Sequence, residues 1–365
     1  MALRTDTGSD ERGPAGHEPV AAPAPTESAD ATPEQRGFDW VTVAALGIYA
    51  AAFVVSTVIW GFPLGRERLI VWLALGMLAA TIRHPARWAR GMIIDWLPLV
   101  AVLITYDYLR GAADGLGFQL HMWSLIHFDE WLFGGTVPTV RLQRAFLDPD
   151  RVYWWDLVAW ATYTSHFVAS FVVAAVLWVR NRKRFHAYVA RFVALSYMGF
   201  ITYMLFPAVP PWLAGRYGAI PPVYRSATRG WSHFGLHTAA QLFEKGQASV
   251  NLVAAMPSLH AAYAALICAF FWKAAKPIVR VVLAGYPLLM AWTLVYTAEH
   301  WVIDILIGWL YVAIVMVVGA LISRWWRRRK AAEAQRDATQ ADATSATSAT
   351  TSSEDRPVDL SGRYP

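Results

Sequence analysis

Met256-Pro-Ser-Leu-His260 and, forty residues on, His300-Trp-Val-Ile-Asp304 each open a long apolar segment. His300 and Asp304 are four apart, so on a helix they share a face. A carboxylate there accepts from one ring nitrogen, fixes the tautomer and leaves the other nitrogen to attack phosphorus. Pro257 suits the first position of a helix, where its missing N–H would have had no partner. Ser258 and His260 then fall in the first turn, where free N–H groups and the helix dipole favour an anion. Ser258 is placed to donate its hydroxyl to a phosphate oxygen, and His260 to give a proton to a leaving oxygen. An aspartate at the centre of a membrane helix costs roughly 2.5–3.5 kcal/mol, and less towards the interface. Carboxylates at membrane depth are seldom kept without a partner.

The surroundings of these two stretches define the class. The chain has 365 residues, of which 56% are hydrophobic and only 16% charged, against the roughly 25% charged of soluble proteins. Eight apolar stretches, approximately 41–61, 68–83, 92–109, 154–179, 186–207, 257–273, 279–297 and 303–323, are candidate spans for a bilayer that needs about 20 residues of helix. The expected fold is an all-α polytopic membrane bundle. Basic residues follow every second span: Arg83, Arg87 and Arg90; Arg180, Arg182, Lys183 and Arg184; Lys273, Lys276 and Arg280; Arg324 and Arg327 to Lys330. The positive-inside rule then puts these links and both termini in the cytoplasm. Spans six and eight both start from the outer side, so His260, His300 and Asp304 share one membrane depth, at the extracytoplasmic face. The net charge of +6 gathers at these span ends, a placement that argues against nucleic acid. The single cysteine, Cys268, excludes an intrachain disulfide and a cysteine metal cluster.

Residues 1–36 and 331–365 are polar and of low complexity, and are expected to be cytoplasmic tails without stable structure. They flank a membrane domain over 37–330. Two long outer connections interrupt that domain. The first, about 110–153, carries Trp123, Ile126, Phe128, Trp131, Leu132 and Phe133 ahead of Gly134-Gly-Thr-Val-Pro138, the pattern of an amphipathic interfacial helix broken by a turn. The second, about 208–256, follows Pro207-Ala-Val-Pro-Pro-Trp212, where proline ends span five.

Together, Phe206-Pro-Ala-Val-Pro-Pro-Trp212, Ala255-Met-Pro-Ser-Leu-His260 and Glu299-His-Trp-Val-Ile-Asp304 resemble the type 2 phosphatidic acid phosphatase superfamily, and within it the inositol phosphorylceramide synthase-like branch. The likeness covers about 100–325 loosely and 203–310 well. It implies a six-helix catalytic core, a phosphohistidine on His300, His260 as acid and base, Asp304 as orienter, and no metal or other cofactor. It implies a lipid phosphate or phospholipid substrate, with an alcohol acceptor if the reaction is transfer. Two signatures of the family are absent. The Ser-Arg pair ahead of the third-motif histidine is replaced by Leu294-Val-Tyr-Thr-Ala-Glu299, and the first, basic signature is not recognisable. Phosphate charge must then be met elsewhere. Arg110, Arg141, Arg216 and Arg225 are the outer-side candidates, and His166 in span four is a candidate for the pocket lining. The competing reading is a lipid or proton-coupled transporter that uses His260, His300 and Asp304 as a relay. It lacks an internal repeat, and its titratable groups gather at one rim. Haloperoxidase-type chemistry, known from soluble relatives, would need a lysine and further arginines that are not evident.

Overall fold

Alanines decide which helix lies at the centre. The helix that opens at Leu259 carries Ala261, Ala262 and Ala264, each at most 1% exposed, and small residues let neighbouring backbones approach in a membrane bundle. The structure, a computed structural model, describes residues 40–60, 66–83, 93–102, 119–237 and 252–354, with residues 91, 104, 105 and 241. In chain order the helices are α1 (Trp40–Trp60), α2 (Arg66–Ala80), α3 (Ile93–Val102), α4 (Trp123–Leu132), α5 (Pro138–Phe146), α6 (Trp154–Arg180), α7 (Arg182–Leu205), α8 (Pro211–Arg216), α9 (Arg229–His233), α10 (Leu259–Trp272), α11 (Pro277–Tyr296) and α12 (Val302–Glu354). Secondary structure among the described residues is helical apart from two isolated bridges, His121 to Ala208 and Ala208 to Ala254.

Five of these helices (α1, α6, α7, α11 and α12) are long and apolar enough to cross a membrane, and shorter apolar helices occupy the expected second, third and sixth spans. α10 packs against α6, α7, α11 and α12, and α3 adds Trp96, Leu99 and Val102 to the same apolar cluster. Met77 of α2 belongs to that cluster as well. α1 buries none of its residues, as expected of a helix surrounded by lipid.

With 14 residues, α10 covers about 21 Å, less than the roughly 30 Å hydrocarbon layer. The irregular chain ahead of it must therefore be satisfied by protein. Ala255 N–H donates to Ala208 O (3.2 Å), Ala208 N–H to Val253 O (2.6 Å), and Ser258 N–H to Asp304 O (2.9 Å). Helix α10 begins at Leu259, two residues later than the first helical position expected at Pro257. Ser258 is its N-cap, its hydroxyl accepting from Ala261 N–H at 3.2 Å, so Pro257 lies outside the helix.

The outer connection of the sequence reading resolves into α4 and α5, joined at Gly134 and Gly135, whose φ values of 68° and 85° suit glycine. At the C-terminal end, the segment expected to lack structure from Ala331 continues α12 to Glu354. Its alanines, with Glu333, Gln335 and Arg336, are good helix formers, and they extend a helix already nucleated. Residues 1–39 and 355–365 lie outside the described residues.

Helices α10 and α12 touch backbone to backbone. A Cβ on Gly308 would lie 2.6 Å from the Ser258 carbonyl oxygen, an atom that cannot swing aside. Gly308→Ala is therefore expected to lower stability by about 1–3 kcal/mol and to reduce activity. Gly285→Ala, where a Cβ meets nothing within 4 Å, is expected to change neither. Thermal unfolding and turnover of both variants in detergent check this.

Candidate active site

The chain between α11 and α12 makes the first half of the site. Helix α11 ends in a Schellman-type turn: Glu299 N–H bonds Leu294 O (3.0 Å) and Ala298 N–H bonds Val295 O (3.3 Å). Ala298 takes the left-handed conformation, φ 62°, that glycine usually fills. The strain of about 1–2 kcal/mol sits directly before Glu299 and His300. The surroundings hold it there. Trp212 N–H donates to Ala298 O at 3.1 Å, and the Trp301 indole donates to Val209 O at 2.7 Å. The Pro-rich stretch after α7 thus pins the backbone on both sides of His300.

His300 and Asp304 are buried, 5% and 0% exposed. His300 Nδ1 lies 3.4 Å from Asp304 Oδ2, and the same oxygen accepts from Trp301 N–H at 2.9 Å. His260, from the first turn of α10, faces them with ring centroids 5.5 Å apart. Its ring is held between Tyr163 (4.8 Å, 19°) and His166 (3.8 Å, 28°), both on α6. The Nε2 atom of His260 is buried without a hydrogen-bond partner, which marks it as a group awaiting one.

Arg225 supplies the cation. It makes a two-pronged pair with Glu299, Nε to Oε1 at 2.7 Å and Nη2 to Oε2 at 3.0 Å, donates to the Tyr163 hydroxyl, and stacks over Trp212 at 4.8 Å. Burial works against its charge, but Glu299 and the Tyr163 hydroxyl more than offset this and raise its pKa above the usual arginine value. Its loop is fixed by Gln143 of α5, which donates to Tyr224 O (2.7 Å) and Tyr296 O (2.8 Å) and accepts from Tyr224 N–H (2.8 Å).

The structure therefore gathers His260, His300, Asp304, Ser258, His166 and Arg225. Ser258 is fully buried, its oxygen used as the cap acceptor. Arg216 is exposed and stacks over Trp212 at 5.0 Å. Arg141 is exposed on α5 and bonds none of the site residues. Arg110 lies outside the described residues. Three site residues were given no role by the sequence reading. Glu299 stands within a quoted stretch without a partner to suggest a task, and Tyr163, three residues before His166 in span four, belongs to no motif. Asp129 of α4 accepts from Val302 N–H (Oδ2, 3.0 Å) and Ile303 N–H (Oδ1, 3.3 Å). The available signal was its spacing: a carboxylate three and four residues after Ile126 and Leu125, on the buried face of an amphipathic helix.

Residues 123–322 match the PAP2 superfamily. The chain belongs to that family. It is 27% identical over 235 residues to the phosphoinositol dihydroceramide synthase of Bacteroides thetaiotaomicron, covering 60% of this chain and 73% of that protein. It is 26% identical over 158 residues to the inositol phosphorylceramide synthase catalytic subunit AUR1 of Saccharomyces cerevisiae, covering 42% of this chain and 39% of that one. No solved structure matches. As a member of the PAP2 superfamily the protein is a multi-pass membrane enzyme of the lipid phosphotransferase and phosphatase type, which sets the transport reading aside. Among the described residues no group of three His, Cys, Asp or Glu side chains is arranged to hold a metal.

Two outcomes follow from this geometry. Removing one partner of a buried ion pair costs about 3–5 kcal/mol; with 30% of the Arg225 side chain exposed, Glu299→Gln is expected to lower unfolding stability by a smaller amount, roughly 1–3 kcal/mol. The second concerns Asp129, whose carboxyl burial pushes up to about 6, with nearby Asp304 adding to the rise and the two amide donors opposing it. Stability supplied by its protonated form is complete below the ordinary carboxylate range and is lost as pH rises through about 6. Asp129→Asn cannot ionise, so its melting temperature should move upward relative to wild type as pH is raised through that value. A relative shift in the opposite direction contradicts the assignment.

Proposed function

We propose that this enzyme moves a phosphorylated head group between lipids through a covalent intermediate on His300, at the extracytoplasmic face of the membrane. The observation that carries the reading is the facing of His260 and His300, 5.5 Å between ring centroids, with a carboxylate behind one ring and a guanidinium fixed by Glu299 beside Tyr163. In the first step His300 Nε2 attacks phosphorus of the donor lipid. The P–O bond to the leaving alcohol breaks, and His260, protonated, gives that oxygen its proton. Asp304 accepts from His300 Nδ1–H throughout, which keeps Nε2 the nucleophile and stabilises the ring as it becomes cationic. The 3.4 Å separation is long for a hydrogen bond, and such contacts tighten when substrate is bound. In the second step neutral His260 takes the proton of an acceptor hydroxyl, whose oxygen attacks phosphorus. The P–N bond breaks and both histidines return to their starting states.

Arg225 is proposed to take the place of the missing Ser-Arg pair in meeting phosphate charge. A planar guanidinium suits two phosphate oxygens at once, and the first-turn amides of α10 add donors at a helix start. Both relatives are named for synthases that join a phosphoinositol group to a ceramide-type lipid. By that likeness the acceptor is a lipid alcohol of the ceramide class and the donor carries a phosphopolyol. Water in place of that alcohol would make the same machinery a hydrolase.

The test uses a donor labelled in its phosphate and carrying a p-nitrophenolate leaving group, which departs without a proton. After acid-free quench, wild type is expected to carry label, His300→Ala none, and His260→Ala label that is not cleared. Turnover of His260→Ala with a natural alcohol leaving group is expected to fall about 10²–10⁴-fold. Label retained in His300→Ala removes the covalent reading. Release of the labelled head group as its free phosphate monoester alone, with no product in the presence of acceptor alcohol, removes transfer in favour of hydrolysis.

A further inference from the structure

Helix α12 does not cap itself. The residue ahead of it is Trp301, whose side chain carries a donor and no acceptor and is committed to Val209 O. Asp304 answers the Trp301 N–H, which is the returning half of a capping box. The outgoing half, an acceptor for the next amides, is missing from the local sequence. It comes instead from 173 residues away. Asp129 of α4, fully buried, spreads its two oxygens over the Val302 and Ile303 amides at 3.0 and 3.3 Å.

These two amides belong to the residues between Trp301 and Asp304, in the turn that spaces His300 from its carboxylate. That spacing has little slack. The His300 to Asp304 contact is already 3.4 Å, and a bond of this kind is gone by about 3.6 Å. The Asp304 oxygen is shared with Trp301 N–H, while its other oxygen has no partner. Nothing else in the carboxylate's own bonding would restore the alignment if the first turn frayed. A single Ser, Thr or Asp at position 301 would have capped the helix locally, but position 301 is occupied by the indole that pins the chain to Val209.

We propose that Asp129 is a positioning residue for phosphoryl transfer: it clasps the first turn of α12 so that Asp304 keeps the His300 ring turned towards phosphorus. This rests on His300 being the nucleophile. Helix α4, which carries Asp129 on its inner face and exposes Trp123 and Trp131 on its outer one, thereby takes part in the site without touching substrate.

The experiment uses the full-length protein purified in detergent, with a phospholipid donor and a ceramide-type alcohol. Initial rates are measured for wild type, Asp129→Ala, Asp129→Asn and His300→Ala, with amide hydrogen exchange over the start of α12. Misplacing a reacting group by an ångström loses on the order of 10²-fold. Asp129→Ala is therefore expected to lose about 10- to 100-fold in kcat with KM for the donor unchanged, and to exchange faster at Val302 and Ile303. Asp129→Asn, which keeps one acceptor oxygen, is expected to fall between the two. Wild-type kcat in Asp129→Ala, a loss confined to KM, or an Asn variant no better than Ala overturns the proposal. Should Asp129→Ala fail to fold, Asp129→Asn decides alone: lower kcat at constant KM supports the clasp, and unchanged kcat overturns it. Activity retained in His300→Ala strikes the nucleophile assignment itself, so the two failures are told apart.

Discussion

One backbone hydrogen bond, from Ser258 N–H to Asp304 O at 2.9 Å, joins the starts of the two helices on which the site is built. The bond can form only because the two backbones lie in contact, and they lie in contact because position 308 has no side chain. Small residues along α10 extend the same close approach to its other neighbours. The consequence is chemical as well as structural. A histidine in the first turn of one helix and a histidine ahead of the other are brought face to face without a loop having to close over them. Sites placed on rigid elements keep their geometry better than sites on loops.

Around that contact the polar groups form a continuous set of pairings. The Arg225 guanidinium is paired with Glu299, the Trp301 indole with Val209 O, Gln143 with Tyr224 and Tyr296, and the α12 amides with Asp129. In a medium with little water each of these groups would otherwise be costly. Two of the buried groups left without partners are informative for the same reason. His260 Nε2 and Asp304 Oδ1 lie where the proposed chemistry needs a proton acceptor and a reserve of negative charge. The strained Ala298 completes this pattern, since strain of that kind persists only where the surroundings over-determine it.

Much of this was legible from the residues. Apolar runs located the spans, and the alternation of basic links placed His260 and His300 at one end of the bundle before any coordinates. Arg225 could not be told from Arg216 in the sequence, because what separates them is Glu299, seventy-four residues away. Asp129 was hidden for a related reason: its partners are backbone amides, which leave no trace in side-chain identity. The end of α12 is not legible in the sequence because an Ala-, Thr- and Ser-rich segment resembles a tail by composition. Its alanines nonetheless favour helix when a helix is already running into them. The start of α10 lies two residues beyond the one expected because Pro257 fits a first helical position, while Ser258 makes the better cap.

The central claim is that the two imidazoles grip one phosphorus between them. Its most direct measurement is an experimental structure of the protein with vanadate, which adopts the five-coordinate geometry of phosphoryl transfer. The expected result is vanadium bonded to His300 Nε2, with His260 within hydrogen-bond reach of the apical oxygen opposite and the Arg225 guanidinium against the equatorial oxygens. Vanadate bound away from His300, or the rings of residues 260 and 300 too far apart to share it, would contradict the account.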